Sequence, residues 1–133
     1  MPVQRSTTTR LRRSLFEDAV AIVEQEFADV LALDDIARRV ATSRRQLQRS
    51  YSEVGDTTFR EHLTCVRMER AGDMLRYGNL TIREVAHRVG YRQPAQFAKA
   101  FRRHHGTAPS GFRASEQRFT RVLEGRQAAR SAA

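Results

Sequence analysis

An internal repeat with a period near fifty residues most constrains how this 133-residue chain can fold. The segment IARRVATSRRQLQRSYSEVG (36–55) returns as VAHRVGYRQPAQFAKAFRRHHG (85–106). Each copy has an apolar Ile/Val-Ala-x-x-Val group, a short gap, and two bulky apolar residues four positions apart. Because apolar residues three to four positions apart share one face of a helix, each copy predicts a helix, a tight turn and a second helix.

Capping residues indicate where the helices begin and end. Pairs that fit a capping box are Ser43 with Gln46, Thr58 with Glu61, and Thr81 with Glu84. Pro94 and Pro109 suit the first turns of later helices, whereas Ala32 stands where the first copy lacks a capping hydroxyl. Each copy is expected to stop at a glycine, Gly55 or Gly106, in the left-handed conformation.

These signals predict an all-α fold: two helix-turn-helix subdomains joined by a long linker helix, about seven helices in total. We expect a flexible basic arm over 1–13, a first subdomain over 14–57, a linker helix over 58–77, a second subdomain over 78–116, and a C-terminal tail over 117–133. Leu15 to Phe27 reads as an amphipathic helix. Gly72, inside the linker, indicates either close packing or a bend.

The charge distribution points to a polyanionic partner. The net charge is +9, and residues 14–37 hold seven acids without Lys or Arg, whereas 38–113 hold sixteen Lys or Arg against six acids. The positive field therefore belongs to the repeated segment, and nucleic acid is the first partner to consider. The single Cys65 excludes an intramolecular disulfide, and we expect a cytoplasmic protein without secretory signal or membrane span.

A duplicated helix-turn-helix makes a geometric prediction about double-stranded DNA. The second helix of such a motif enters the major groove. Nineteen linker residues, 58–76, span about 28 Å at about 1.5 Å per residue. With the width of the packed helices added, two recognition helices come about one DNA turn apart, roughly 34 Å. One monomer is thus expected to occupy two successive major grooves.

The helical wheel selects the residues that face away from the core. In the first recognition helix they are Arg45, Gln48, Arg49 and Ser52, and in the second Ala95, Ala98, Lys99 and Arg102. Arg pairs with guanine and Gln with adenine, whereas methyl groups and cations suit thymine and phosphates. We therefore expect more hydrogen-bonded base discrimination from the first helix, with Arg44 as a further DNA contact.

The sequence also resembles the DNA-binding region of the AraC/XylS family over about residues 15–113. The resemblance rests on LDDIARRVATSRRQLQRSYSEVGDTTFREHLTCVRMERAGDML, LTIREVAHRVGY, FAKAFRRHHGTAPSGFR and the spacing between them. It implies a regulator of transcription initiation, commonly an activator that contacts RNA polymerase. Larger members carry an effector-binding domain; thirteen N-terminal residues leave no room for one, so we expect similarity to the single-domain members.

The resemblance also implies which residues contact bases. By position these are Arg45, Gln48 and Arg49, then Pro94, Ala95, Gln96, Ala98 and Lys99. Three of the second group, Pro94, Ala95 and Ala98, are apolar where single-domain relatives often have polar side chains, which leaves the target sequence open.

Two other function classes compete with this interpretation. One is a non-specific architectural DNA-binding protein or RNA-polymerase adaptor, which the positive charge would also suit. The other is a fragment of a DNA-alkylation repair enzyme, against which a lone Cys65 argues. No catalytic, cofactor-binding or metal-binding residue is predicted, because neighbouring His104 and His105 point about 100° apart on a helix and the sequence lacks a nucleophile–base pair or a Gly-rich phosphate loop.

Overall fold

A computed structural model describes residues 2–132, with the side chains of 7–130, and within this part the fold is all-α. The described residues form seven helices and no strand, which confirms the predicted fold class. The helices are α1 (Pro2–Glu26), α2 (Leu33–Arg39), α3 (Arg44–Gly55), α4 (Phe59–Tyr77), α5 (Ile82–Arg88), α6 (Pro94–His105) and α7 (Pro109–Ala132).

The chain divides into two compact units within α4. Unit 1 ends at Arg67, and unit 2 begins at Met68. Unit 1 therefore holds α1 to α3 and the first part of α4, and unit 2 holds the rest of α4 with α5 to α7. None of the helices in the described part has the length and apolar character that crossing a membrane requires.

In unit 1, buried residues of α1, α2 and α3 form one hydrophobic cluster. Its members are Ala19, Val23, Leu33, Ile36, Ala37, Leu47 and Tyr51. Phe59, Leu63 and Val66 of α4 pack against this cluster with partly buried side chains. The apolar pairs four positions apart thus fix which face of α3 points inward, as the periodicity predicted.

Unit 2 buries the repeated positions. The buried residues are Met68, Ala71 and Leu75 of α4, Val85 and Ala86 of α5, Val89 directly after α5, Phe97 and Phe101 of α6, and Phe112 of α7. Gly72 is explained by packing: a Cβ there would lie 3.2 Å from Cε1 of His105, and α4 continues through it without interruption. Close packing, rather than a break, accounts for this glycine.

The predicted N-terminal capping hydroxyls are confirmed. The side-chain oxygens of Ser43, Thr58 and Thr81 each accept a hydrogen bond from the backbone N–H three residues later, at 3.2, 3.1 and 3.1 Å. Ala32 makes no side-chain cap, and Pro94 lies in the first turn of α6. Each of these caps joins residues close in sequence, which is why the pattern alone located them.

The left-handed residues correct one expectation. Gly55 is the last residue of α3, and the left-handed position after it is Asp56, with φ of 50°. Gly106, with φ of 80°, is the left-handed residue after α6. The two left-handed residues, Asp56 and Gly106, are therefore fifty positions apart. Gly55 serves a close approach instead, because a Cβ there would lie 2.6 Å from the Phe16 ring.

The terminal helices are longer than expected. α1 is helical from Pro2, although we expected a flexible arm over 1–13, and α7 runs without a break to Ala132. No proline or glycine interrupts residues 3–26, so nothing in that stretch stops a helix that begins at Pro2. Met1 and Ala133 lie outside the described residues.

Candidate nucleic-acid interface

The outward face of α3 carries the five residues selected for the first recognition helix. All five are exposed: Arg44, Arg45, Gln48, Arg49 and Ser52. Leu47 and Tyr51 are buried on the opposite side, with 0% and 1% of their surface exposed. The core therefore orients a polar, cationic strip toward solvent.

Ion pairs distinguish the cations of this strip. Nη1 of Arg44 lies 3.3 Å from Oδ2 of Asp34, and Nε of Arg49 lies 3.6 Å from Oε1 of Glu53. Glu53 also binds Arg12 of α1. Arg45, in contrast, has no hydrogen-bond or charge partner among the residues whose side chains are described. Arg45 is thus available to a ligand without breaking an internal interaction.

The outward face of α6 differs in chemistry. Exposed residues are Pro94, Ala95, Gln96, Lys99 and Arg102. Ala98, predicted to face away from the core, is only partly exposed. Within the described part of the chain, neither Lys99 nor Arg102 forms an ion pair.

Unit 1 holds α3 against α4 through a partly buried polar interaction. The hydroxyl of Tyr51 and Nδ1 of His62 in α4 share a hydrogen bond at 2.9 Å. Burial raises the pKa of Tyr51 and lowers the pKa of His62, while the charge of Glu24 opposes the shift at His62. Both shifts favour the neutral form of the group near pH 7.

Unit 2 fixes α6 through its two histidines. Nε2 of His105 donates a hydrogen bond to the carbonyl oxygen of Met68 at 2.8 Å, and Nε2 of His104 lies 2.7 Å from Oε1 of Glu69. The hydrogen bond from His104 lowers the pKa of Glu69. The sequence gives no local signal for these two contacts, because the partners lie 35 and 37 residues away.

A groove lies between α5 and the start of α6. Its volume is about 480 Å³, and its lining residues are Arg83, Glu84, Ala86, His87, Arg88, Tyr91, Arg92 and Pro94. Its arginines are not among the residues that the sequence patterns select. The only sequence signal for a shared surface is their spacing of four to five residues. This signal is weak, because arginines are frequent throughout the chain.

Two other residues singled out in the sequence are Cys65 and Arg113. Cys65 is exposed. Nε of Arg113, at the end of the repeated pattern, donates to the carbonyl oxygen of Leu75 at 3.3 Å, so it fastens α7 to α4 within unit 2.

Comparisons with known proteins agree on one kind of domain. A family model described as a helix-turn-helix domain matches residues 36–115. Over 69% of this chain, the Msm operon regulatory protein of Streptococcus mutans is 30% identical, and the urease operon transcriptional activator of Escherichia coli is 33% identical. These matches cover 33% and 31% of the relatives, so the chain spans about a third of the length of the curated relatives it matches.

Solved structures share the fold. A transcriptional regulator from Chromobacterium violaceum with an AraC-type DNA-binding domain superposes with a TM-score of 0.74 at 27% identity, covering 77% of this chain and 92% of that one. The DNA-binding domain of AdpA, a global transcriptional factor solved in complex with a target DNA, gives 0.71 at 26% identity, covering 75% and 90%.

Proposed function

Because this chain belongs to the AraC-type family of helix-turn-helix transcription regulators, we propose that it recognises a specific DNA site through α3 and α6. The observation that carries the proposal is that α3 and α6 share one arrangement. In each helix, bulky residues are buried on one side and polar or cationic residues are exposed on the other. The AdpA domain, a structural relative above 25% identity, was solved with a target DNA, which supports the same ligand here.

The two recognition helices have different tasks in this proposal. In α3, Arg45 and Arg49 pair with guanine and Gln48 pairs with adenine, while Arg44 and Ser52 contact the flanking backbone. In α6, Pro94, Ala95 and Ala98 meet thymine methyl groups, Gln96 hydrogen-bonds to a base edge, and Lys99 and Arg102 contact phosphates. The first unit then supplies more of the base discrimination.

One molecule binds two successive major grooves as a monomer in this proposal. The support is α4, which is an uninterrupted helix of 19 residues, about 28 Å long at about 1.5 Å per residue. That length suits grooves roughly 34 Å apart once the width of the recognition helices is included. Under this division, 14–57 and 78–116 act as the DNA-binding subdomains and 58–77 as their linker.

The regulatory output is activation of transcription in the cytoplasm, with RNA polymerase as the partner at the promoter. The support is the function for which relatives are named, among them the urease operon transcriptional activator of Escherichia coli. That protein is about three times longer than its matched region, so its activity is carried over here only as part of this proposal.

The decisive experiment is selection of bound duplexes from a random pool, followed by footprinting of the selected site. We expect one asymmetric consensus with protection in two adjacent major grooves. Steep salt dependence with no consensus would indicate the alternative, a non-specific architectural or polymerase-adaptor protein, and would contradict the proposal.

Arg49→Ala tests the assignment of base contacts. It should weaken binding to the selected site by about 1–3 kcal/mol and relax preference at one or two positions. Arg13→Ala, which removes an exposed α1 arginine outside the proposed interface, is the matched control. Equal weakening on every sequence would reduce Arg49 to a phosphate contact.

A further inference from the structure

The two units differ in how they treat the first helix of each helix-turn-helix. In α2 the cations are neutralised. Arg39 donates from both Nη atoms to the carboxylate of Glu26, at 2.8 and 2.6 Å, and Arg38 binds Asp35. The bonds between Arg39 and Glu26 lower the pKa of Glu26 and raise that of Arg39. The outer surface of α2 therefore carries little uncompensated positive charge.

In α5 the repeated positions carry cations without partners. Arg88 stands 49 residues after Arg39, and Arg83 stands where α2 has Asp34. Arg83, Arg88 and Arg92 are exposed, and none has a hydrogen-bond or ion-pair partner in the portion of the chain whose side chains are described. The second copy of the repeat thus keeps the helix, but its arginines are unpaired among the described side chains where those of the first copy are neutralised by carboxylates.

These three arginines line the groove between α5 and the start of α6, here called the α5 groove. Its one carboxylate, Glu84, receives a hydrogen bond at 3.0 Å from the hydroxyl of Thr81 as part of a helix cap. His87 and Tyr91 are the remaining titratable groups on the lining. Planar guanidinium groups match the geometry of phosphate oxygens and bind them in pairs of hydrogen bonds, so an anionic phosphodiester suits the groove.

The position of the groove identifies the source of the phosphodiester. The groove ends at Pro94, the first residue of α6, so its ligand lies beside whatever α6 contacts. On the proposed function, that neighbour is the DNA backbone. We propose that the α5 groove binds backbone phosphates bordering the major groove that α6 enters, and that this interaction, which α2 lacks, compensates for the short apolar side chains of α6.

The salt dependence of DNA affinity tests the proposal. The full chain carrying Arg83→Gln, Arg88→Gln and Arg92→Gln together, and each substitution alone, is compared with wild type on a duplex of unselected sequence. Removing one arginine–phosphate interaction should make the slope of log K against log [salt] shallower by about 0.9. The slope of the triple variant should therefore be shallower than that of wild type by about 1–3, which corresponds to one to three lost interactions. A slope identical to that of wild type would overturn the proposal.

Arg39→Gln is the matched control. It removes the same charge at the position equivalent to Arg88, and it leaves the slope unchanged if Arg39 serves only Glu26. An equal drop for Arg39→Gln and Arg88→Gln would reduce the effect to net charge and overturn the proposal. Thermal melting by circular dichroism reports folding, and the single variants decide the question if the triple variant does not fold.

Failure of this inference is separable from failure of the proposed function. Sequence selection by the wild-type chain tests the function and does not involve the variants. A chain that selects a consensus while all α5-groove variants keep the wild-type slope retains the function and loses the inference. If those variants bind DNA normally yet reduce transcription by RNA polymerase in a purified system, the groove binds an acidic protein surface and the phosphate assignment is wrong.

Discussion

Tyr51 and His62 join α3 to α4 through a polar interaction. The residues fifty positions later are Phe101 and Phe112, and they join α6 to α7 through an apolar contact. The ring centroids are 5.6 Å apart in the first pair and 5.3 Å in the second. The backbone positions repeat while the chemistry changes, so unit 1 places a tyrosine and a histidine where unit 2 places two phenylalanines.

The double variant Tyr51→Phe, His62→Phe tests this joint. Replacing both partners with apolar groups of similar shape should leave stability near that of wild type at pH 8, whereas Tyr51→Phe alone should cost about 1 kcal/mol because Nδ1 of His62 loses its hydrogen-bond partner. Thermal melting at pH 8 measures both. A double variant less stable than Tyr51→Phe would contradict the expected equivalence of the two joints.

The same variant has a predicted pH dependence. Burial lowers the pKa of His62 in the folded state below its ordinary value of about 6.5, so the unfolded chain binds the proton first as the pH falls. The contribution of His62 to stability is complete above about pH 6.5 and is lost on acidification through the lowered pKa. Between pH 7 and 5 the wild type should therefore lose more stability than the double variant, and equal losses would contradict the assignment.

At the scale of elements, each helix-turn-helix uses a left-handed residue to turn from its first helix to its second. Unit 1 uses Ala41, with φ of 59°, and unit 2 uses Gly90, with φ of 99°, at an offset of 49 residues. An L-residue with a Cβ is strained in this conformation, whereas glycine adopts it readily. The turn of unit 1 is therefore strained where that of unit 2 is not.

Ala41→Gly should stabilise unit 1 by up to about 1 kcal/mol, because the relief of left-handed strain exceeds the added flexibility of the unfolded chain. Gly90→Ala should destabilise the chain by a similar amount, which makes the pair reciprocal controls. Urea denaturation measures both. Destabilisation by Ala41→Gly would show that the Cβ contributes more than the strain costs.

At the scale of the whole molecule, α4 is shared by the two units. Phe59, Leu63 and Val66 pack on the core of unit 1, whereas Met68, Ala71 and Leu75 are buried in unit 2. Each unit has its own set of buried residues, so a change at the division after Arg67 need not disturb either core. This arrangement makes the proposal of two successive grooves testable through the helix itself.

One alanine inserted between Arg67 and Met68 adds about 1.5 Å and about 100° of rotation along α4. We expect the two-groove footprint to shrink to one groove, and affinity for the selected site to fall by at least about 100-fold because the second recognition helix no longer reaches its bases. One alanine inserted after Gly125, in the exposed part of α7, is the control. A footprint over both grooves despite the α4 insertion would contradict binding through a stiff linker.

The sequence alone determined the helices of the repeated region and the inward face of each recognition helix, but not the extent of the two terminal helices. Helix caps at Ser43, Thr58 and Thr81 join residues three positions apart, and the spacing of Leu47 with Tyr51 is that of one helical turn. Such signals act over a few residues, so they are legible without knowledge of the fold. The repeat then extended the same interpretation to the second unit.

Only the tertiary structure decided which charges are neutralised and how the recognition helices are held. Arg39 meets Glu26 across 13 residues, His105 meets Met68 across 37, and Arg12 meets Glu53 across 41. These interactions depend on how distant helices pack, and composition treats every arginine alike. The arginines of α2 and α5 therefore look equivalent in sequence, and they become different only when folding brings a carboxylate to one set and leaves the other facing solvent.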